Sequence, residues 1–320
     1  MSAAIIPPSQ AGTSVSESAK ASTMSSKDIG LYGMMIVAWG TSWIAMAHQV
    51  EIVPALITGV YRFTLAAAVT FLWALLGKYP LRFPLQVHLR LAMVGIFMFS
   101  SNFVMFYFAA GYIASGLMAV IFSLVSLFNI ILSALFLGMR PTKLGMVGTV
   151  LGLSGIGLIF WPEISANVGD QGVLYGLGFG LGGTLLFCTG NILSVSNRKL
   201  DIPLISANCW CLTYGSLWLL CLALVLDVPF IMDWSAEYWI AMAWLVIMAS
   251  VVAFWGYMTL LSSIGPARAG YLTVLFPVVA LMLSTLFEGY QWSLWGLIGL
   301  AAIIAGNILV MRSGRKQAAV

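Results

Sequence analysis

The sequence predicts an all-α integral membrane protein of ten transmembrane helices, arranged as two inverted five-helix repeats. Three observations predict it. The chain is 61% hydrophobic and 8% charged, with a mean hydropathy of +1.02. A water-soluble domain carries about 25% charged residues, so the solvent for this surface is lipid. The basic residues fall on alternate breaks between the apolar runs, and a shift of 151 residues lays the end of the first half over the end of the second.

A spanning helix needs roughly 20 apolar residues. Residues 1–28 are rich in Ser, Ala and Pro and hold no apolar stretch of about 7–15 residues, so they read as a disordered tail and not as a signal segment. Apolar runs then cover 29–47, 54–76, 91–112, 114–138 and 142–161, which make up the first repeat, 29–161. A second set covers 172–195, 204–226, 237–263, 267–287 and 291–311, the second repeat, 172–311, before a short tail at 312–320. Polar breaks such as "GKYPLRFPLQVHLR", "GMRPTK" and "DVPFIMDWSAE" separate them. The faintest breaks are Tyr112–Ser115 and Ser263–Pro266, where a Gly-containing turn stands between two runs.

With ten spans, 13 of the 14 Lys and Arg share one side, and the fourteenth, Arg62, lies inside a span. The other side has no Lys or Arg and holds seven of the ten acids. Cytoplasmic loops carry the excess of Lys and Arg, so both termini are expected in the cytoplasm and the protein in the cytoplasmic (inner) membrane. The bias accounts for the basic loops without a nucleic-acid partner.

In the repeat, "SALFLGMRPTKLGMVG" lies over "STLFEGYQWSLWGLIG". Gly138, Gly145, Gly148 and Gly155 fall on Gly289, Gly296, Gly299 and Gly306, and Ser133 falls on Ser284. Five spans is an odd number, so the second copy enters the bilayer from the opposite face. Inverted repeats are the architecture of many secondary transporters, in which two equivalent halves rock about a site between them.

The chain resembles the drug/metabolite transporter superfamily, and within it the EamA-type ten-helix transporters. The resemblance rests on "WGTSW" at 39–43, "YRF" at 61–63, "LFLG" at 135–138, "LFPVVALMLSTLF" at 275–287 and "LWGLIGLAAIIAGNILV" at 294–310. It implies a carrier of small organic solutes, often amino acids or related metabolites, frequently exported. Two features depart from the pattern. Where the family often has Gly-Glu, this chain has Gly138-Met139 and Gly289-Tyr290, with Glu288 displaced; and Pro277 in the ninth span has Ser126 as its partner in the fourth.

The candidate substrate-binding residues are aromatic and polar. Trp39 and Trp43 are four apart and share a helix face. In the third span Asn102, Phe106 and Tyr107 lie over two turns, and the eighth offers Trp255 and Tyr257 beside Phe254. Ser126 and Asn129 line the fourth span with Ser133, matched by Pro277, Ala280 and Ser284, and Tyr271 stands early in the ninth. Such a lining suits a small amphipathic solute. Arg62 has two readings: a fork for a substrate carboxylate, or a structural group that snorkels or donates to helix-end carbonyls. Because "RF" recurs there across different substrates in the family it resembles, the structural reading is favoured.

Gly176 and Gly180, Gly178 and Gly182, and Gly148 and Gly152 form small-residue rows suited to close helix packing. The four cysteines read as packing residues, and Trp161, Trp234, Trp239, Trp292 and Trp295 as interface anchors. Nothing points to catalysis: the two histidines fall on opposite sides, and no span pairs carboxylates or holds a nucleophile with a base. No cofactor or metal is called for. The expected partners are a small-molecule substrate and the bilayer, with the protein a monomer or homodimer. A non-transport scaffold or a channel-like protein is the alternative. Only Glu288 is placed for a proton relay, so a facilitator or exchanger is expected before proton coupling.

Overall fold

A computed structural model describes residues 25–138, 140–166, 171–197, 200, 202–263 and 272–317. The tail before Ser25, Tyr271 and the faint break at 264–266 lie outside the described residues. Ten helices follow in order: α1 (Ser26–Gln49), α2 (Ala55–Leu76), α3 (Leu85–Ala110), α4 (Ser115–Leu137) and α5 (Lys143–Ala166). Then come α6 (Gly172–Asn197), α7 (Leu204–Val225), α8 (Ala236–Ala243, Trp244–Val252 and Ala253–Ser263 end to end), α9 (Leu272–Phe287) and α10 (Leu294–Gln317). Nine are long and apolar enough to span a membrane, and the described part of α9 adds a shorter apolar helix. At about 1.5 Å per residue, the 22 residues of α2 cover the hydrocarbon core.

Local sequence sets the helix starts. Ser25 accepts a bond from the Asp28 amide at 3.1 Å while the Asp28 carboxylate takes the Ser25 amide at 3.1 Å, a reciprocal cap. Helix α1 therefore begins at Ser26, earlier than the apolar run at 29. Pro54, Pro84 and Pro203 precede α2, α3 and α7.

The backbone repeats its irregularities in both halves. Lys78 and Asp227 close the equivalent helices α2 and α7 with φ of 54° and 51°. The amide two bonds further on reaches back in each: Tyr79 to the Ala74 carbonyl, and Val228 to that of Ala223, both at 2.9 Å. Gly138 and Gly289 end α4 and α9 with φ of 65° and 69°, the left-handed region that glycine enters without a Cβ penalty. Mid-membrane, α3 widens to a π-helix at Phe97–Ser101 and α8 does so at Trp244–Val252. Ser100 and Ser250 donate five residues back, to Gly95 at 3.1 Å and Leu245 at 2.8 Å, and so occupy carbonyls in the widened turns.

Helix pairing follows the same symmetry. Helix α5 packs on α10, α2 on α7 and α4 on α9. Helix α1 lies on α9 as α6 does on α4; α3 lies on α6 as α8 does on α1; and α3 meets α7 as α8 meets α2. Exchanging the halves maps the first three pairings onto themselves and each of the others onto its counterpart, and all of them join one half to the other. The core is therefore the seam itself. At α5 and α10 the fit is closest. A Cβ on Gly148 would come within 2.7 Å of the Gly306 carbonyl, and one on Gly155 within 2.6 Å of that of Gly299. Since 148 corresponds to 299 and 155 to 306, these two contacts are images of each other, and the two helices run antiparallel.

The row on α6 is not the expected one throughout. Gly176 and Gly180 face Ile113 and Ile121 closely, whereas Gly178 and Gly182 have nothing within 4 Å. Adding a side chain should therefore divide these positions. Gly299→Leu should destabilise the protein by about 1–3 kcal/mol or more through overpacking, read as a fall in melting temperature in detergent. Gly178→Ala should be neutral or stabilising by up to about 1 kcal/mol.

Candidate functional site

The "WGTSW" turns of α1 explain themselves at the seam. Gly40 leaves room for α9, since a Cβ there would meet Val279 at 2.7 Å. Thr41 accepts a bond from the Trp244 indole of α8 at 2.9 Å. The face between them carries Trp39 and Trp43 inwards. Trp43, 6% exposed, meets Phe106 of α3 edge-on at 5.0 Å, Phe122 of α4 at 5.5 Å and Phe276 of α9 face to face at 6.5 Å. Trp39 meets Tyr257 of α8 at 5.6 Å and Phe276 at 6.2 Å. Five helices, three from the first half and two from the second, thus converge on one aromatic cage. Each ring pair contributes about 0.5–1.5 kcal/mol beyond its buried area.

Helix α4 breaks beside the cage, and without a proline. The Ser123 hydroxyl donates to the Val120 carbonyl at 2.7 Å, and the amides of Ser123 and Leu124 tighten onto Val120 and Ile121. Side chains of α6 reach the backbone around the break: Thr184 donates to the Ile121 carbonyl at 3.5 Å and Cys188 to that of Val125 at 3.6 Å. From Ser115 to Ile121 every residue of α4 is buried, while Ser126 and Asn129 beyond the break are half-buried.

Towards the end of the bundle that carries the acidic loops lies a polar chain. The Tyr107 hydroxyl donates to Gln49 Oε1 at 2.9 Å, and Gln49 Nε2 reaches Met242 Sδ at 3.7 Å. Arg62 enters from α2. Its Nη1 points at the Tyr107 oxygen at 3.5 Å and at Met46 Sδ at 3.8 Å, and its guanidinium carbon sits 4.6 Å from the centre of the Phe103 ring. Arg62 is 2% exposed and its Nε has no partner. It neither snorkels nor caps a helix end, because the side chain turns inward between α1 and α3. Among the described residues the ion pair present is His48 with Glu51 at 3.2 Å, so no carboxylate meets Arg62.

Of the sequence-derived candidates, Trp39, Trp43, Phe106 and Tyr257 form the cage, and Arg62 and Tyr107 the polar chain. Asn102 is fully buried with both side-chain polar atoms unpaired, one helical turn from Phe106. The Asn129 oxygen is likewise unpaired. Trp255 is 43% exposed on the outer side of α8 and stands apart from the rest, because Ala253 and Gly256 carry the packed face of that helix. The sequence reading missed Phe122, Phe276, Phe103, Met46 and Gln49. Phe276 adjoins Pro277, and Gln49, the last residue of α1, falls in the polar "HQVE" break beyond the first apolar run, so neither is singled out by periodicity. Glu288 serves as a cap: its Oε2 accepts from the Ser115 amide at 2.9 Å and hydroxyl at 2.8 Å at the start of α4.

The family model of the EamA-like transporters matches residues 29–161 and 174–312. Protein PagO of Salmonella typhimurium is 23% identical over 283 residues, 88% of this chain and 91% of that protein. The uncharacterized inner membrane transporter YedA of Escherichia coli K12 is 27% identical over 292 residues, 88% and 89% of the two chains. The uncharacterized transporter YvbV of Bacillus subtilis is 21% identical over 291 residues, covering 90% and 93%. A crystal structure at 19% identity superposes with a TM-score of 0.63 over 92% of this chain and 100% of its own, a likeness of fold.

Tyr107→Phe should leave the Gln49 carbonyl oxygen buried and unpaired. The expected cost is about 1–3 kcal/mol, measured as a lower melting temperature in detergent, with the helix content unchanged by circular dichroism.

Proposed function

We propose a carrier function from one premise: the chain belongs to the EamA-like transporter family and is a multi-pass membrane transporter, not an enzyme. On this reading it moves a small organic metabolite, an amino acid or related compound, across the cytoplasmic membrane by alternating access, in the direction of export. The observation that carries the reading is the seam. Each major helix pairing joins the two halves and maps onto itself or its counterpart when they are exchanged, and the aromatic cage is built from both. Two equivalent halves that meet at such a site can tilt one way or the other and open it to either side.

The basic loops are taken as cytoplasmic, with both termini inside, on the Lys and Arg bias. The cage is the substrate chamber, lined by Trp39, Trp43, Phe106, Tyr257 and Phe276, with Asn102, Ser126 and Asn129 supplying hydrogen bonds. Coupling is to the solute gradient. Glu288, the one acid placed for a proton relay, is engaged with the start of α4 at two bonds.

Counterflow in proteoliposomes tests the reading. Vesicles preloaded with a mixture of amino acids and small organic acids should take up a labelled tracer of one solute class, saturably and only when solute is inside. Trp43→Ala should lower that exchange by at least about tenfold, and Trp255→Ala should leave it within about twofold. Uptake without saturation would indicate a channel. No exchange of any solute by folded protein would return the choice to a scaffold. In a second measurement, a pH gradient imposed without a solute gradient should drive no accumulation.

A further inference from the structure

Of the 14 Lys and Arg, Arg62 is the one that lies inside an apolar run of the sequence, and the structure leaves its charge unanswered. The side chain is 2% exposed. A guanidinium presents five donors in a rigid fork. Here a phenol at 3.5 Å and a thioether at 3.8 Å share Nη1, and Nε is buried without a partner. The ring of Phe103 takes the remaining face at 4.6 Å. None of these groups carries negative charge at neutral pH, and among the described residues no carboxylate lies within ion-pair distance. If the arginine only held helices together, its donors would go to carbonyls or acids. Among the described residues its bonds go to neither.

We propose that Arg62 is the anion subsite of the carrier and that its substrate is an amphipathic organic acid bearing one net negative charge, with a carboxylate and an aromatic or bulky apolar body. The proposal rests on the carrier reading and narrows it. A planar carboxylate fits the guanidinium fork through two parallel bonds. Net charge then separates solutes that share this group. A monoanion neutralises the buried cation, whereas a zwitterion brings a positive charge with its negative one and leaves the sum unchanged. An amine adds a second cation. The described helices offer no acid in the membrane interior to receive an ammonium.

The spacing gives the size of the body. Met46, which touches Arg62, is three residues beyond Trp43 on α1, and Tyr107 follows Phe106 on α3. The cage therefore lies about one helical turn, roughly 5 Å, from the guanidinium. An acid whose ring is separated from its carboxylate by two or three bonds would place the charge on Arg62 and the ring against Trp43, Phe106 and Phe276. The buried amide of Asn102, unpaired at both its polar atoms, stands one turn from Phe106 and could take a neutral polar substituent between the two ends.

The test uses three probes with one body and different charge: phenylpyruvate, phenylalanine and phenethylamine, each as tracer and as internal solute in counterflow with the full-length protein. Phenylpyruvate should exchange at least about tenfold faster than the other two at equal concentration. Arg62→Gln should abolish the preference, and Arg62→Lys, which keeps the charge and loses the fork, should retain part of it. Should Arg62→Gln fail to fold, the ranking of the three probes on the unaltered protein decides, supported by a rise in its melting temperature with phenylpyruvate alone. Phenylalanine or phenethylamine exchanging as well as phenylpyruvate would overturn the charge argument. Exchange of some other solute from the broad mixture, with none of the three moving, would overturn this inference and leave the carrier standing. If no solute at all exchanges, the carrier reading fails first.

Discussion

In the hydrocarbon core no water is present to satisfy a freed peptide group, and this constraint governs every departure from a regular helix in the protein. Each irregular turn is met by a side chain at hand. Ser100 and Ser250 occupy carbonyls in the π-helical turns of α3 and α8, and Thr184 and Cys188 reach the backbone around the break in α4. Thr70, Thr149 and Thr189 fold back onto carbonyls one turn earlier and so hide their own hydroxyls. Against this background the groups left unpaired stand out. Arg62 Nε on α2, the amide of Asn102 on α3 and the oxygen of Asn129 on α4 are among them, with the hydroxyls of Ser206 and Ser284 and the amide of Asn307.

The same constraint explains where small residues fall. Lipid gives helices no hydrophobic reason to associate, so close approach and shape must do it. Gly148, Gly155, Gly299 and Gly306 bring α5 and α10 backbone to backbone in a pattern that repeats under exchange of the halves. Gly40 brings α9 onto α1, next to the tryptophans. In the rocking motion proposed above, a seam built of glycine contacts has few long side chains to disentangle. The cage, by contrast, is built of stiff rings with two torsions each.

Symmetry is kept in the frame and lost in the lining. The left-handed closures at Lys78 and Asp227, and those at Gly138 and Gly289, recur half for half. Yet Trp43 of α1 has Leu186 in the matching region of α6, Arg62 has no basic counterpart in α7, and Pro277 is answered by a serine-driven break. On the proposed carrier reading the frame has to work in two orientations, whereas a substrate with a charged end and an apolar end needs one. Arg62, the positive end in that proposal, belongs to the first repeat.

The sequence by itself determined the number of spans, their alternation and the duplication, because hydropathy, charge and glycine register are properties of a chain read in one dimension against a slab of lipid. It also put Trp39 and Trp43 on one face of the first helix, since helical spacing puts residues four apart side by side. Tertiary structure alone decided which faces meet. It joined Phe122 and Phe276 to the cage, turned Trp255 outwards, tied Gln49 to Tyr107 and tied Met46 to the arginine. An apolar helix in a bilayer has no polar side to mark its lipid face, so its rotation is invisible in the pattern of residues and is fixed only by the helices packed against it.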